Sequence, residues 1–272
     1  MHAWTLQHVS IWLEDASANE IVFSHALEWA FRLHVPLRVV AITHPPVMDK
    51  IKAWGETTAL RGVALEAHLT VEKTQAAIEQ FLRTNSLCVF SDTADTQIEQ
   101  ELLQRSSRIP TVCQLHCANT FTPIDRVLVL CRDADLRAEY LESAARLCHA
   151  LETTPIVLIL AGSEYDAELK QEYAEGIFHS RRMLADVDFV IDRDPGQAVK
   201  RVVSWRRCSH IIVPRSSEAS DRLLRDLSAS VSVLTVPDAV SLDMPRRIRS
   251  GRGILPWNRL EVIEPITATE HV

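Results

Sequence analysis

Two stretches of the chain carry the same succession of apolar and amphipathic segments, and this repeat constrains the fold more than any other feature. One stretch begins at His8 and the other at Arg126. Each contains a short apolar run, an acidic turn, an amphipathic helix and a second apolar run. Later, Thr111 corresponds to Val233 in the same way. An internal repeat of this length predicts two domains of one fold, over residues 1–120 and 123–240.

Each copy offers five apolar runs of the kind found in strands that are buried on both faces. Helical segments separate the runs, and this alternation predicts a parallel sheet covered by helices on both sides. In residues 136–151 the apolar side chains recur at three- and four-residue steps, which gives one apolar helix face. Asp194 and Pro195 have the residue types of an N-cap and a first helical turn. The predicted strands cover residues 9–13, 37–42, 67–71, 88–90 and 111–115, then 127–131, 156–160, 189–191, 211–213 and 233–236.

The sequence therefore predicts an α/β protein of two tandem doubly wound, Rossmann-like domains. Each would hold a five-stranded, mainly parallel sheet with helices on both faces.

Composition limits the classes of function. The net charge of −7 argues against a general binder of nucleic acids or anionic membranes, because both require a basic surface. No run approaches 18 apolar residues, so we expect no membrane insertion. The first residues lack the pattern of a signal peptide, and we expect a cytoplasmic location. The six cysteines lie mostly within apolar runs, which favours reduced core thiols over a disulfide framework.

Motifs of catalysis are missing from the sequence. It contains no G-x-S-x-G, P-loop, H-E-x-x-H or G-x-G-x-x-G motif, which favours a non-enzymatic protein. Cys113, His116 and Cys117 have no second cluster at zinc-site spacing, so we expect no metal there. His44 is interpreted as a loop histidine, and Asp186 and Asp188 as solvated turn residues.

Residues 241–272 form a different region, which we predict to be an extended C-terminal tail. It contains three prolines and the arginines Arg246, Arg247, Arg249 and Arg252. Two interpretations stay open. The tail packs back onto the protein through Ile254, Leu255 and Trp257, or it docks on an acidic partner surface with Trp257 as the anchor.

Residues 126–151, 194–217 and 230–237 together resemble a universal stress protein domain, and the first copy resembles it more loosely. The chain as a whole is thus similar to a tandem universal stress protein of bacterial type. The resemblance implies stress-linked regulation through protein contacts. It also implies that the last strands of the two copies pair within one chain and form an intramolecular pseudo-dimer. A further homodimer is left open, and the sequence does not identify a protein partner.

Members of that family that bind ATP carry an aspartate after the first strand and a loop of the pattern Gly-x2-Gly-x9-Gly-Ser/Thr after the fourth. Here Glu14 and Arg132 stand at the aspartate position, with Asp15 and Asp133 one place later. Both corresponding loops lack every glycine of the pattern. Backbone amides converge on a phosphate only where the chain can adopt positive φ or approach closely, which favours glycine. We therefore expect a degenerate nucleotide-binding site, without a cofactor bound in the classical way.

The alternative is an adenine-nucleotide or small-anion sensor, or an enzyme, that uses the crevice of the second copy. ATP or AMP would be its ligand. A cation, a helix N-terminus and two hydroxyls would suffice for a small anion, although the two serines also suit helix capping. A third hypothesis is a regulatory domain of a membrane transporter. The crevice candidates are Arg132, Asp133, Arg215, Ser216 and Ser217.

Overall fold

The computed structural model describes residues 4–14, 20–71, 75–83, 85–91, 97–132, 136–191, 194–215, 227, 230–237, 242–243 and 259–262. Candidate residues Asp133, Ser216 and Ser217 lie outside these ranges, as do Asp15 and most of the tail.

The N-terminal half alternates strands and helices after a short first strand. Continuous β-branched and aliphatic residues form its strands, and helices with one apolar face connect them. Its elements are β1 (Trp4–Thr5), β2 (His8–Leu13), α1 (Glu20–Leu33), β3 (Leu37–Ile42), α2 (Pro45–Leu60), β4 (Leu65–Thr70), α3 (Gln75–Phe81), β5 (Ser86–Phe90), α4 (Gln97–Ser106) and β6 (Val112–His116).

The C-terminal half again alternates strands and helices, with three helices among its described residues. Asp194 is the N-cap of α7 as predicted, because its side chain accepts a hydrogen bond from the backbone N–H of Gln197 and Pro195 follows in the first turn. The elements are β7 (Val127–Arg132), α5 (Ala138–Ala150), β8 (Ile156–Leu160), α6 (Glu164–Ser180), β9 (Asp186–Val190), α7 (Pro195–Arg206), β10 (His210–Pro214) and β11 (Ser232–Val236). Two short strands follow, β12 (Leu242–Asp243) and β13 (Arg259–Val262).

One sheet of eleven strands runs through both halves, in the order β13-β4-β3-β2-β5-β6-β11-β10-β7-β8-β9. Neighbouring strands are parallel within each half. β2 lies in the centre of the five strands β4-β3-β2-β5-β6, and β7 lies in the centre of the five strands β11-β10-β7-β8-β9. The mainly parallel α/β architecture is therefore confirmed. β6 and β11 pair antiparallel, with Leu115 opposite Leu234, which confirms the predicted pairing of the last strands.

The tail contributes strands that the sequence pattern did not predict. β13 pairs in parallel with β4 and covers that edge of the sheet, while β12 pairs with β1. Both pairings join residues far apart in the chain, so the local periodicity of the sequence does not predict them. Ile254, Leu255, Trp257 and the four tail arginines lie outside the described residues.

The uncovered edge strand β9 differs from its prediction. It covers residues 186–190, and Asp186 and Asp188 are part of the strand, where both carboxylates form ion pairs with Arg206. The interpretation of these aspartates as turn residues was wrong. Charged side chains on an edge strand disfavour pairing with a foreign strand.

The hydrophobic core is continuous on one face of the sheet and divided on the other. On the first face, one cluster of buried residues joins α1 and α2 to α5 across both halves, with Trp29 and Tyr140 fully buried. On the second face, one cluster lies around α7 and another around α3 and α4. All six cysteines are buried free thiols within these layers.

Candidate functional site

A doubly wound sheet offers a ligand crevice at the carboxyl ends of the two strands where the strand order reverses. In the N-terminal half these strands are β2 and β5, and in the C-terminal half they are β7 and β10.

In the C-terminal half the fold brings Arg132 and Arg215 to the same edge. β7 and β10 are paired in parallel with His210 opposite Val127, and this register places Arg215 level with Arg132. Arg132 ends β7, and Arg215 follows β10 directly. The other three crevice candidates, Asp133, Ser216 and Ser217, lie in the undescribed connections beside them.

The guanidinium of Arg215 reaches the N-terminal half. Its Nη1 donates to the carbonyl oxygens of Ile109, at 2.8 Å, and Ser107, at 3.4 Å, which follow the C-terminal end of α4. Carbonyls at a helix C-terminus attract a cation because the helix dipole is negative there. Arg215 therefore links the halves as well as standing at the crevice, a role that depends on the β6–β11 pairing and was not predicted.

The matching edge of the N-terminal half is acidic. Ser91, directly after β5, donates from Oγ to the carboxylate of Glu99 in the first turn of α4, at 3.4 Å. His44 lies 3.2 Å, through Nε2, from the carbonyl oxygen of Glu14. The connection from β5 to α4 holds only the six residues 91–96, without a glycine. A carboxylate in the first turn of α4 disfavours a phosphate at this helix N-terminus.

A buried polar network crosses the junction between the halves. Gln114 of β6 lies opposite Thr235 of β11, and Thr235 donates from Oγ1 to the Gln114 side chain at 3.2 Å. The amide nitrogen of Gln114 donates to Ser106 Oγ at 2.6 Å and to the carbonyl oxygen of Leu103 at 3.0 Å. Because these groups satisfy one another, the network fixes the register of the two strands.

An aromatic cluster forms the junction on the other face. The ring of His210 lies 5.6 Å from that of Trp29 and 6.0 Å from that of His25, both on α1. Burial lowers the pKa of His210 to about 3 and also lowers the pKa of His25. Both imidazoles are thus held neutral at the contact between the halves.

A third buried histidine, His8, belongs to a polar ladder across the N-terminal strands. Arg38 of β3 donates from Nη1 to His8 Nε2 at 2.8 Å and pairs with Glu66 of β4 at 2.8 Å. Burial, together with the positive charge of Arg38, lowers the pKa of His8 to about 3. This ladder was not predicted from the sequence, although an arginine inside the apolar run 37–42 indicates a buried partner.

Two cavities lie at the amino ends of the strands. One, of about 790 Å³, lies between the linker residues 122–125 and the end of α7. The other, of about 890 Å³, lies between the C-terminal ends of α1, α5 and α6, and is lined by Arg146, Arg181 and Arg182. Glu142 already pairs with Arg146 and Arg181.

Within the described ranges, no cluster of histidine, cysteine and carboxylate side chains could hold a metal ion. The helices of this part of the chain also lack the length and apolarity needed to cross a bilayer.

The fold and the junction define a doubly wound α/β protein of two similar halves joined through their last strands. No protein-family model and no curated protein matches the sequence. Solved structures do match in fold. A universal stress protein from Archaeoglobus fulgidus DSM 4304 is 13% identical, with a TM-score of 0.57 over 84% of this chain and 96% of that one.

Two further structures cover 86% of this chain. A putative universal stress protein from Pseudomonas aeruginosa UCBPP-PA14 is 11% identical over 94% of its own length, with a TM-score of 0.58. The cytoplasmic domain of a prokaryotic cation chloride cotransporter is 10% identical over 96% of its length, with a TM-score of 0.59. The chain therefore has the universal stress protein fold, as its sequence resemblance predicted.

Proposed function

We propose that this chain is a non-enzymatic regulatory protein of the universal stress protein type, acting in the cytoplasm through contacts with other proteins. In this proposal residues 1–120 and 123–240 are tandem domains and residues 241–272 are an extended tail. Together the two domains form a pseudo-dimer within one chain.

The antiparallel pairing of β6 with β11 carries this proposal. Thr235 and Gln114 close the junction with a buried hydrogen bond, and Leu234 packs against the same core as Leu115. In the family that the sequence resembles, the last strand is often the edge through which two chains dimerise. Here both such edges are used within the chain, so regulatory partners would bind elsewhere.

We further propose that the chain does not bind ATP in the manner of the family. The pattern Gly-x2-Gly-x9-Gly is more than twice as long as the six-residue connection from β5 to α4, and Glu99 places a carboxylate beside it. A phosphate there would meet a negative charge, and a connection without glycine disfavours the convergence of backbone amides on it.

A thermal-shift titration with ATP, ADP and AMP, each with and without Mg²⁺, tests this proposal. A ligand at about one hundred times its Kd stabilises the folded state by about 2.7 kcal/mol. For a chain of this size that corresponds to a rise in Tm of roughly 5–10 °C. We expect no saturable rise, and a saturable rise with any of the three nucleotides would contradict the proposal.

The second candidate function is an adenine-nucleotide or small-anion sensor that uses the crevice of the C-terminal half. Arg132 and Arg215 lie side by side at the carboxyl ends of β7 and β10. This arrangement favours the sensor function, because two cations at one edge of the sheet attract an anion. If a nucleotide does raise Tm, an Arg132→Ala variant should lose the rise. The control variant Lys52→Ala changes an exposed cation on α2 and should keep it.

A third candidate, a regulatory domain of a membrane transporter, is favoured by the similarity in fold to the cotransporter's cytoplasmic domain. Recovery of the chain from its host in a complex with an integral membrane protein would favour this candidate. Recovery away from membranes would favour the leading proposal.

A further inference from the structure

The outer face of α6 exposes large apolar side chains that the fold does not cover. Tyr165, Leu169 and Tyr173 recur at four-residue steps and are 80%, 60% and 43% exposed. Residues at this spacing form one stripe along a helix. The opposite side of α6 packs on the sheet through Ala167, Ala174 and Phe178.

An acidic stripe lies beside the apolar one. Glu164, Glu168, Glu172 and Glu175 are all exposed and fall on the neighbouring side of the same face. Lys170, the only lysine or arginine of α6, already pairs with Asp166. The four glutamates therefore keep a strong local negative charge.

The equivalent helix of the N-terminal half shows that the fold itself does not require this stripe. α2 connects β3 to β4, and α6 connects the corresponding strands β8 and β9. Leu60, at the C-terminal end of α2, is the large apolar side chain that this helix exposes. The other exposed positions of α2 hold Pro45, Pro46, Asp49, Lys52, Ala53, Glu56, Thr57 and Ala59. The apolar and acidic face is thus specific to α6.

We propose that the α6 face binds the arginine-rich segment 244–258 of a second copy of this chain. That segment contains four arginines and no acidic residue, together with Ile254, Leu255 and Trp257. Its positive charge matches the four glutamates in number, and its apolar residues match the Tyr165–Leu169–Tyr173 stripe. Pairing of α6 with another α6 would instead oppose glutamates to glutamates.

Ile254, Leu255 and Trp257 of the same copy cannot reach this face while β13 stays paired with β4. α6 packs on β8 and β9, and nine strand spacings separate β13 from β8, a distance of about 43 Å at about 4.8 Å per strand. From Arg252 to Arg259 the extended chain covers only about 25 Å. A second copy has no such restriction. The contact is heterologous, so it joins copies head to tail.

Sedimentation velocity of the full chain tests the proposal, over roughly two decades of micromolar concentration. At about 50 mM salt we expect the mean mass to rise with concentration, and at about 500 mM salt we expect weaker association because exposed charge pairs are screened. A chain that stays monomeric throughout at low salt would overturn the proposal.

Charge reversal tests the two surfaces separately. Glu168→Arg with Glu172→Arg should weaken association at least about tenfold, and so should Arg246→Glu with Arg249→Glu. An equimolar mixture of the two variants should associate again, because the unchanged segment of the first variant can bind the unchanged α6 face of the second. The matched control is Asp49→Arg with Glu56→Arg on α2, which should associate like the unchanged chain.

Other outcomes identify other interfaces. If the α6 variant stops association but the arginine variant does not, α6 binds a different surface and the proposal is wrong. If only the arginine variant stops it, the segment binds elsewhere and the proposal is also wrong. Circular dichroism and Tm of each variant show that it is folded. The inference does not rest on the proposed function, and nucleotide binding would leave it unchanged.

Discussion

His210 at the junction is buried and neutral, which leads to a quantitative prediction of how the free energy of unfolding depends on pH. Ser209 Oγ donates its one proton to the carbonyl oxygen of Arg126. In the 3.0 Å contact between Ser209 Oγ and His210 Nδ1, the imidazole Nδ1–H is therefore the donor. Among the described residues, His210 Nε2 has no hydrogen-bond partner. A second proton on Nε2 would place an unpaired charge in a buried site beside Trp29 and His25. His8 is held neutral in a different way, because its Nε2 accepts from Arg38.

The size of the effect follows from linkage between protonation and folding. The pKa of both histidines is lowered to about 3 in the folded chain, whereas an unfolded chain has a histidine pKa of about 6.5. The unfolded state therefore binds more protons between these values, and stability falls as the pH drops from about 6.5 towards 3. Between about pH 7.5 and 5.5 each histidine lowers the free energy of unfolding by about 1.4 kcal/mol, and the pair lowers it by about 2.7 kcal/mol. This result depends little on the folded pKa, provided that it stays well below 5.

Urea denaturation at the two pH values measures this loss. His210→Gln should reduce the pH-dependent loss of unfolding free energy by about 1.4 kcal/mol, about half of the histidine contribution. Carboxylates also titrate in this range, but they are common to both proteins and cancel in the difference. His149→Gln is the control, since that ring is solvent-exposed in the folded chain. An equal pH-dependent loss in His210→Gln and in the unchanged chain would refute the reasoning.

Two further predictions concern the core. Leu234→Ala removes a side chain that is 1% exposed at the junction and should cost about 2–5 kcal/mol of unfolding free energy, whereas Leu60→Ala, at a 90% exposed position, should change it by less than about 0.5 kcal/mol. Similar urea midpoints for the two variants would contradict the placement of the junction. Burial raises the pKa of the thiols of Cys88, Cys113 and Cys148 to about 12, so a disulfide reagent should modify them far more slowly in the folded chain than in denaturant, where all six cysteines should react. Equal rates in the two states would show that these thiols are accessible.

The sequence determined the element order, the parallel strands and their duplication, because each depends on local periodicity. Strands 37–42 and 156–160 have the bounds that their apolar runs predicted, since a strand buried on both faces is mostly apolar, with Arg38 as the exception in the first. The N-cap at Asp194 followed from residue type alone. Even the pairing of the last strands was predictable, from the family resemblance together with the repeat.

Tertiary structure decided what depends on register and on residues far apart in the chain. Arg38 meets His8 and Glu66 because three strands place them side by side, and Arg215 reaches the end of α4 because the halves join antiparallel. The addition of β13 to β4 pairs residues almost two hundred positions apart. Likewise, the sequence of α6 shows tyrosines and glutamates, but only packing against β8 and β9 decides which of them stay exposed. A sequence lists the groups that can interact, and the distances between its strands and helices select those that do.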